Sequence, residues 1–125
     1  MSLTLTALPG RFAVCRLGAS DAVPDWTRGE VVSITRTEDE LSIICDESAV
    51  PEAVRAERGW TCFKVGGPLP FGMVGVAAAL TTALAQAGIS VIVVGTFDTD
   101  YLLVKGERSE QAVGAWEAAG FSIGA

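Results

Sequence analysis

Eight short strand-like runs are the feature that most constrains how this chain of 125 residues can fold. Each run is rich in Val, Ile, Leu, Thr or aromatic residues, and Gly, Pro or short polar stretches separate the runs, as is typical of β-strands joined by turns. The runs cover residues 3–8, 12–17, 31–36, 41–46, 60–65, 89–97, 101–106 and 121–124. Two neighbouring pairs flank the polar stretches TEDE and DTD, which predicts two hairpins.

Helical patterns separate some of these strands. They cover residues 71–87, residues 109–119 and a shorter segment at 49–57. Gly88 follows the first helix as a natural C-cap, and Ser109 opens the second as a predicted N-cap. Residues 19–30 hold at most one helical turn.

The order of the elements repeats along the chain at a shift of 60 residues, which places Glu40 on Asp100. Each predicted hairpin is followed by a helical pattern and by a strand that a glycine precedes. We therefore predict an α+β fold of two tandem ferredoxin-like modules of order βαββαβ, each an antiparallel sheet with helices on one face. The modules are residues 1–59, with the first helix reduced to a turn, and residues 60–125. The strand at 60–65 aligns with both modules.

The charge of the chain narrows the classes of function. Its net charge is −6, which argues against nucleic acid as a partner, because such binding needs a basic surface that displaces counterions. Charged residues make up only 19% of the chain, below the usual quarter. The predicted helix at 71–87 carries Ala and Thr on its outer side. We therefore expect part of the surface to be buried in a homodimer.

Residues suited to catalysis or metal binding are scarce. Histidine is absent, which removes Ser-His-Asp and Cys-His pairs and His-ligated metals from this chain. Cys15, Cys45 and Cys62 lie in strand-like runs without a C-x-x-C spacing, so we expect buried, reduced thiols. The expectation is a chain with no catalytic residue, no metal and no cofactor.

Two stretches of the sequence lack the pattern of a targeting or membrane segment. The N-terminus lacks the basic region and apolar core of a signal peptide. The uncharged stretch at 65–97 is interrupted by Gly and Pro, which leaves no clean apolar segment of about 20 residues. A cytoplasmic protein without a membrane span is expected.

One motif resembles a known family. The run FKVGGPLPFGMVGVAAALTTALAQAGISVIVVGTFDTDYLLVK (63–105) resembles the signature of tandem ACT-domain proteins, in which a G-P-L-x-F loop opens a helix and S-T-[FY]-x-T-D-[YF] leads into a strand. The run RTEDELSIIC (36–45) resembles the matching hairpin of the first module. The resemblance implies a regulatory module that binds a small molecule, most often an amino acid, at an interface between modules.

This tandem form is also similar to the ACT modules of the CASTOR-type arginine sensors, in which the ligand lies between two modules. Carried over residue by residue, that similarity implies ligand contacts at Ser90 and Val91 and at Thr96, Phe97 and Asp100. Gly95 departs from the pattern, because the family often has serine there. The preference for arginine is not carried over.

The chemistry of an amino-acid ligand fits other residues nearby. A helix opening near Phe71 and Gly72 would offer free backbone N–H groups to a carboxylate, and Gly67 would allow close approach of the backbone. Asp100 could accept from the ammonium, and Phe97 could supply an apolar wall. The alternatives are a rigid strand-to-helix connection for GGPLPFG and a solvated turn for Asp98.

Three functions remain open from the sequence. The leading hypothesis is a non-enzymatic sensor that binds an amino acid as a homodimer. The second is a dimerisation or adaptor module without a ligand, which the Gly95 departure would suit. The third is an enzyme, for which the carboxylate pair of Asp98 and Asp100 is the only candidate.

Overall fold

The computed structural model describes residues 3–67, 69 and 73–124. All eight predicted strand-like runs contain strands, which confirms that part of the prediction. The strands are β1 Thr4–Ala7, β2 Phe12–Leu17, β3 Ser33–Arg36, β4 Leu41–Asp46, β5 Ala56–Val65, β6 Ile92–Gly95, β7 Asp100–Lys105 and β8 Ser122–Gly124. The helices are α1 Val76–Gln86 and α2 Ser109–Ala118. None of the helices in these residues is long and apolar enough to cross a membrane.

The chain divides into two compact units. The N-terminal unit is Gly10–Trp60, and the C-terminal unit combines Met1–Pro9 with Thr61–Ala125. The predicted boundary at residues 59 and 60 lies close to this division. The first nine residues differ from the prediction, because β1 pairs with β5 and β8 of the C-terminal unit.

The N-terminal unit is built from β3, β4, β2 and the beginning of β5, in that order. All three pairings are antiparallel. One face carries the core of the unit, which consists of Ala13, Cys15, Leu41, Ile43, Cys45 and Val50. Trp26 and Val54 are partly buried and pack against this core from turns and loops. Irregular chain therefore covers the face that a helix would cover in a βαββαβ module.

The predicted helix at 49–57 is wrong. The chain instead makes a short 3₁₀ turn at Glu47–Ala49, where the Asp46 carboxylate accepts from the Ser48 N–H at 3.0 Å. The Glu47 carboxylate accepts from the Gly59 N–H at 2.6 Å and holds the turn against β5. Strand pairing then decides the conformation, because Ala56 already pairs with Cys15 of β2. Residues 10–60, all of them described, contain no α-helix.

The C-terminal unit follows the predicted order βαββαβ from β5 to β8. Its sheet places β1 between β5 and β8, and β7 pairs with β5 and β6. The two helices pack with the sheet around a core that includes Leu5, Phe63, Leu80, Leu84, Leu102 and Trp116. The Trp116 indole N–H donates to the Leu80 carbonyl at 3.1 Å, and its ring meets Phe63 edge to face at 5.0 Å between centroids. Such an aromatic pair adds about 0.5–1.5 kcal/mol beyond the area that it buries.

The ends of the helices differ in part from the prediction. α1 begins at Val76, later than the predicted start at residue 71. Ser109 is the first residue of α2, and the N-cap is Arg108. Gly88 lies just beyond the C-cap of α1, and the Ile89 N–H donates to the Leu84 carbonyl at 2.9 Å. That bond is the long hydrogen bond of a Schellman motif, so α1 ends where the sequence predicts.

Candidate functional site

A cavity of about 240 Å³ opens in the C-terminal unit between the start of α1 and the turn that joins β6 to β7. Its lining consists of Leu69, Met73, Gly75, Val76, Ala77, Ala78, Thr96, Phe97, Asp98, Thr99 and Asp100. The volume would hold roughly eight waters, at about 30 Å³ each. It is smaller than the roughly 300–1,000 Å³ of pockets that hold drug-sized ligands. The cavity therefore suits a molecule of the size of a metabolite.

The β6–β7 turn is built by two threonines. The Thr96 N–H donates to the Thr99 carbonyl at 2.8 Å, and the Thr96 hydroxyl donates to the same carbonyl at 3.0 Å. The hydroxyl also accepts from the Thr99 N–H at 3.3 Å. Ser and Thr side chains stabilise turns in this way by bonding to the backbone a few residues on. The turn holds Phe97 and Asp98 at its tip, where both side chains are exposed.

Three contacts attach this turn to the end of β5 and to the chain that follows it. The Thr99 side chain is 4% exposed, and its hydroxyl donates to the Val65 carbonyl at 2.6 Å. The Leu69 N–H donates to the Asp98 carbonyl at 2.6 Å. A Cβ on Gly67 would lie 3.0 Å from the Thr99 Cβ and 3.1 Å from the Asp98 carbonyl oxygen. Glycine is needed at residue 67 because the backbone passes so close to the turn.

The start of α1 forms the opposite wall. Gly75 is the N-cap in a left-handed conformation (φ 84°), and no side chain caps the helix. The first turn carries no acidic residue. The first N–H groups of a helix have no partner within it, and the helix dipole makes this end electropositive. The backbone at Val76–Ala78 therefore offers the cavity a region suited to an anion.

The two carboxylates near the cavity are placed differently. Asp98 is exposed at the turn, whereas Asp100 is half-buried at the start of β7, opposite Gly95 of β6. A Cβ on Gly95 would lie 3.4 Å from the Asp100 Oδ1, so this carboxylate lies over the glycine. A serine at position 95, as in the family pattern, would bring a hydroxyl close to the carboxylate.

The strand pairing corrects the repeat that the sequence suggests. Gly95 pairs with Asp100 next to one turn, and Arg36 pairs with Leu41 next to the other. The two hairpins therefore correspond at a shift of 59 residues, and the counterpart of Asp100 is Leu41 rather than Glu40. Leu41 is fully buried in the core of the N-terminal unit.

The structure brings together some of the predicted ligand residues. Thr96, Phe97 and Asp100 line the cavity, and Gly67 lies against the turn without being part of the lining. Phe71 and Gly72 lie outside the described residues. Ser90 and Val91 precede β6, at the end of that strand remote from the turn.

The distance from Ser90 to the turn excludes a shared contact within the cavity. The six residues from Ser90 to Thr96 span roughly 20 Å at about 3.3 Å per residue. Val91 is partly buried and packs against the core of the C-terminal unit. The resemblance therefore assigns to one ligand site two groups of residues that lie far from each other within one C-terminal unit.

Several lining residues were not singled out from the sequence. Met73 and the helix start at Gly75–Ala78 were missed because the predicted helix began too early, at residue 71. Leu69 precedes that predicted helix, and its local pattern does not mark it as a lining residue. Gly75 itself was the available signal, since glycine is accepted at N-caps. Thr99 was missed because a β-branched residue inside a polar turn gives no sign of where its hydroxyl bonds.

The cysteines are buried and free, as predicted. Burial raises the pKa of Cys62 to about 12. Burial also raises the pKa of Cys15 to about 11, with the neighbouring Cys45 adding to the effect, and raises the pKa of Cys45. Thiols held in the protonated form are poor nucleophiles.

Comparison with protein families gives two matches. Residues 55–117, just over half of the chain, match the ACT domain. Residues 10–53 match a family described as an N-terminal domain. The comparison with curated proteins found no match.

Solved structures give similar folds. A protein from Agobacterium tumefaciens is 41% identical over 98% of this chain and 92% of that one, with a TM-score of 0.93. A protein of unknown function from Vibrio cholerae is 22% identical over 94% of this chain and 89% of that one, with a TM-score of 0.77. The regulatory subunit of aspartate kinase from Thermus flavus is 11% identical over 92% of this chain and 95% of that one, with a TM-score of 0.66. The last two similarities concern the fold alone.

The βαββαβ order of the C-terminal unit, with its sheet and two helices, agrees with the match to the ACT domain, a small-molecule-binding regulatory domain. The chain belongs to the ACT-domain family.

Proposed function

We propose that this protein is a non-enzymatic, cytoplasmic sensor that binds an amino acid and acts as a homodimer of tandem ACT modules. The cavity beside α1 is the proposed ligand site, at a module interface that the partner protomer completes. The resemblance to CASTOR-type sensors supports the tandem arrangement, and the match of residues 55–117 to the ACT domain supports a small-molecule ligand. The proposal does not include a preference for arginine.

The observation that carries the proposal is the charge arrangement across the cavity. The uncapped start of α1 suits a carboxylate, and the Asp100 carboxylate opposite suits an ammonium. A free amino acid carries both groups, and each needs a partner once water is removed. No Lys or Arg is among the described lining residues, so Asp100 has no cationic side chain beside it in the cavity.

Exposed apolar side chains near the cavity support the homodimer. Phe97 and Met73 line the cavity and are 79% and 44% exposed, and Val74, which follows Met73 in the chain, is 85% exposed. Large apolar side chains grouped at an exposed site favour burial against another protein surface. A second copy seated there would exclude water from the ligand and strengthen its polar contacts.

A calorimetric panel of the standard amino acids at millimolar concentration tests the proposal. At least one should bind, and at 100 times its dissociation constant it should stabilise the protein by about 2.7 kcal/mol. Asp100→Asn should abolish this stabilisation. Asp98→Asn, which removes the same charge two residues away, should leave most of it. No binding by any amino acid, or equal losses in both variants, would contradict the proposal.

A dimerisation or adaptor module without a ligand is the second candidate. Ile34 on β3 and Val93 on β6 are exposed, and exposed apolar strands favour association. Light scattering separates the candidates together with the panel. A dimer that binds no amino acid favours the adaptor, and a monomer at micromolar concentration contradicts both.

A further inference from the structure

The hydroxyl of Thr99 makes a long-range contact that the turn itself does not need. The turn is already closed by the Thr96 backbone and side chain. The Thr99 hydroxyl instead reaches the Val65 carbonyl at the end of β5, 34 residues away in the chain. Loss of the donor to a buried carbonyl destabilises the local structure, because the carbonyl is left without a hydrogen bond. At an exposed position, water would replace the lost donor.

Two neighbouring contacts also join the β6–β7 turn to this part of the chain. The Leu69 N–H bonds to the Asp98 carbonyl next to Thr99, and Gly67 packs against the Thr99 Cβ. These contacts lie beside the cavity, because Leu69, Asp98, Thr99 and Asp100 all belong to its lining. We call the three contacts made by Thr99, Leu69 and Gly67 the turn clamp.

We propose that Thr99 is a positioning residue, whose hydroxyl holds the β6–β7 turn against the end of β5 and so keeps the Asp100 carboxylate facing the start of α1. This inference rests on the proposed function for its effect on ligand affinity. The clamp itself requires no ligand. The Thr99 hydroxyl donates its only proton to the Val65 carbonyl, so it has no proton left to donate to a ligand while this bond is formed.

Three variants test the role of the hydroxyl. Thr99→Val keeps the shape of the side chain and removes the donor, and Thr99→Ser keeps the donor. Thr37→Val is the matched control, because the Thr37 side chain accepts from Asp39 and Glu40 N–H groups in the turn of the N-terminal unit. The first readout is hydrogen exchange of the Leu69 amide by NMR in the ligand-free protein.

We expect Thr99→Val to speed exchange at the Leu69 amide by about tenfold. Thr99→Ser should restore most of the protection, and Thr37→Val should leave it unchanged. Unchanged exchange in Thr99→Val would overturn the inference, as would equal acceleration in Thr37→Val. If Thr99→Val does not fold, Gly67→Ala tests the same clamp from the other side and should also expose the Leu69 amide. Unchanged Leu69 exchange in that variant would overturn the inference.

The second readout is affinity for whichever amino acid of the panel stabilises the protein most. Thr99→Val should weaken that affinity by about tenfold, and Thr99→Ser should restore it. Unchanged affinity together with faster exchange would overturn the positioning role and leave the ligand site standing. If no amino acid binds, the proposed function fails, while exchange at Leu69 still decides whether the clamp exists.

Discussion

The two hairpins of this protein have the same turn, but the residue that follows the turn lies in a different environment in each. In β3–β4 the Thr37 N–H donates to the Glu40 carbonyl at 2.9 Å, and in β6–β7 the Thr96 N–H donates to the Thr99 carbonyl at 2.8 Å. Each threonine side chain also bonds within its own turn. The next residue differs, because Leu41 enters a core whereas its counterpart Asp100 faces a cavity.

The comparison shows that the turn fixes the backbone geometry in both hairpins. The residue type at the first position of the following strand, Leu41 or Asp100, determines whether that position adds to a core or to a cavity. A leucine at the start of the second strand contributes apolar burial to the fold. A carboxylate at the same position gives up that contribution and gains a group that can bind a cation. The covering of the strands also differs between the two units, since among the described residues both α-helices pack on the C-terminal unit.

The largest expected effect comes from giving the first hairpin the residue of the second. Leu41→Asp places a carboxylate in a fully buried position without a partner, so the free energy of unfolding should fall by about 4 kcal/mol or more. Urea denaturation measures the loss. Ser42→Asp, on the half-exposed side of the same strand, should cost far less. A small loss in Leu41→Asp would show that the two positions are not as different as their burial indicates.

The difference in covering can be tested with two tryptophans. Trp116→Ala removes a fully buried ring and its hydrogen bond to Leu80, and the free energy of unfolding should fall by about 3–5 kcal/mol. Trp26 is only partly buried against the core of the N-terminal unit. Trp26→Ala should therefore cost less, about 1–2 kcal/mol. Equal losses in urea denaturation would contradict the distinction between helical and irregular covers.

The reverse substitution, Asp100→Leu, tests whether this position contributes to ligand binding and not to stability. Asp100→Leu should change the free energy of unfolding by no more than about 0.5 kcal/mol, because the site is half-buried and the carboxylate is not part of a core. Amino-acid binding by calorimetry should be lost. Asp98→Leu serves as the control at the exposed tip and should bind with little change. Retained binding in Asp100→Leu would remove this carboxylate from the proposed site.

The last prediction concerns the dependence of stability on alkaline pH, which is negligible at neutral pH. Burial raises the pKa of Cys62 from 9.0 to about 12 and that of Cys15 from 9.0 to about 11. Between pH 9 and the raised pKa of each thiol, the thiol is deprotonated in the unfolded chain and protonated in the folded chain. The contribution of each thiol to stability is complete below pH 9 and falls as the pH rises through the folded pKa. The free energy of unfolding should therefore decline from pH 9 to pH 12. Cys62→Ala should show a shallower decline, and identical slopes would contradict the assignment.

Local patterns predicted much of the fold. The strand runs, the glycines after both helices and the hairpin sequences depend on residues close together in the chain, and each was found near its predicted place. The helix predicted at 49–57 failed because pairing of Ala56 with β2 outweighs a weak helical preference. The late start of α1 at Val76 was missed for a related reason, since apolar spacing does not mark where a helix begins.

The site was predicted in part. Thr96, Phe97 and Asp100 came from a motif within five residues, and the structure brings all three to one cavity. Ser90 and Val91 came from the same resemblance and lie at the far end of β6. The role of Thr99 depends on a carbonyl 34 residues earlier, and no local pattern records such a contact.

By itself, the sequence determined approximately where the strands, α1 and α2 form, because turn chemistry, capping and apolar spacing act over a few residues. It also determined which chemistry is within reach, since a chain without histidine and with few charges has a short list of reactive groups. Only the tertiary structure decided that β1 pairs in the C-terminal unit, that Asp100 corresponds to Leu41 and that the turn clamp holds the cavity. Each depends on register and packing between distant segments, where a shift of one residue reverses which side chain is buried.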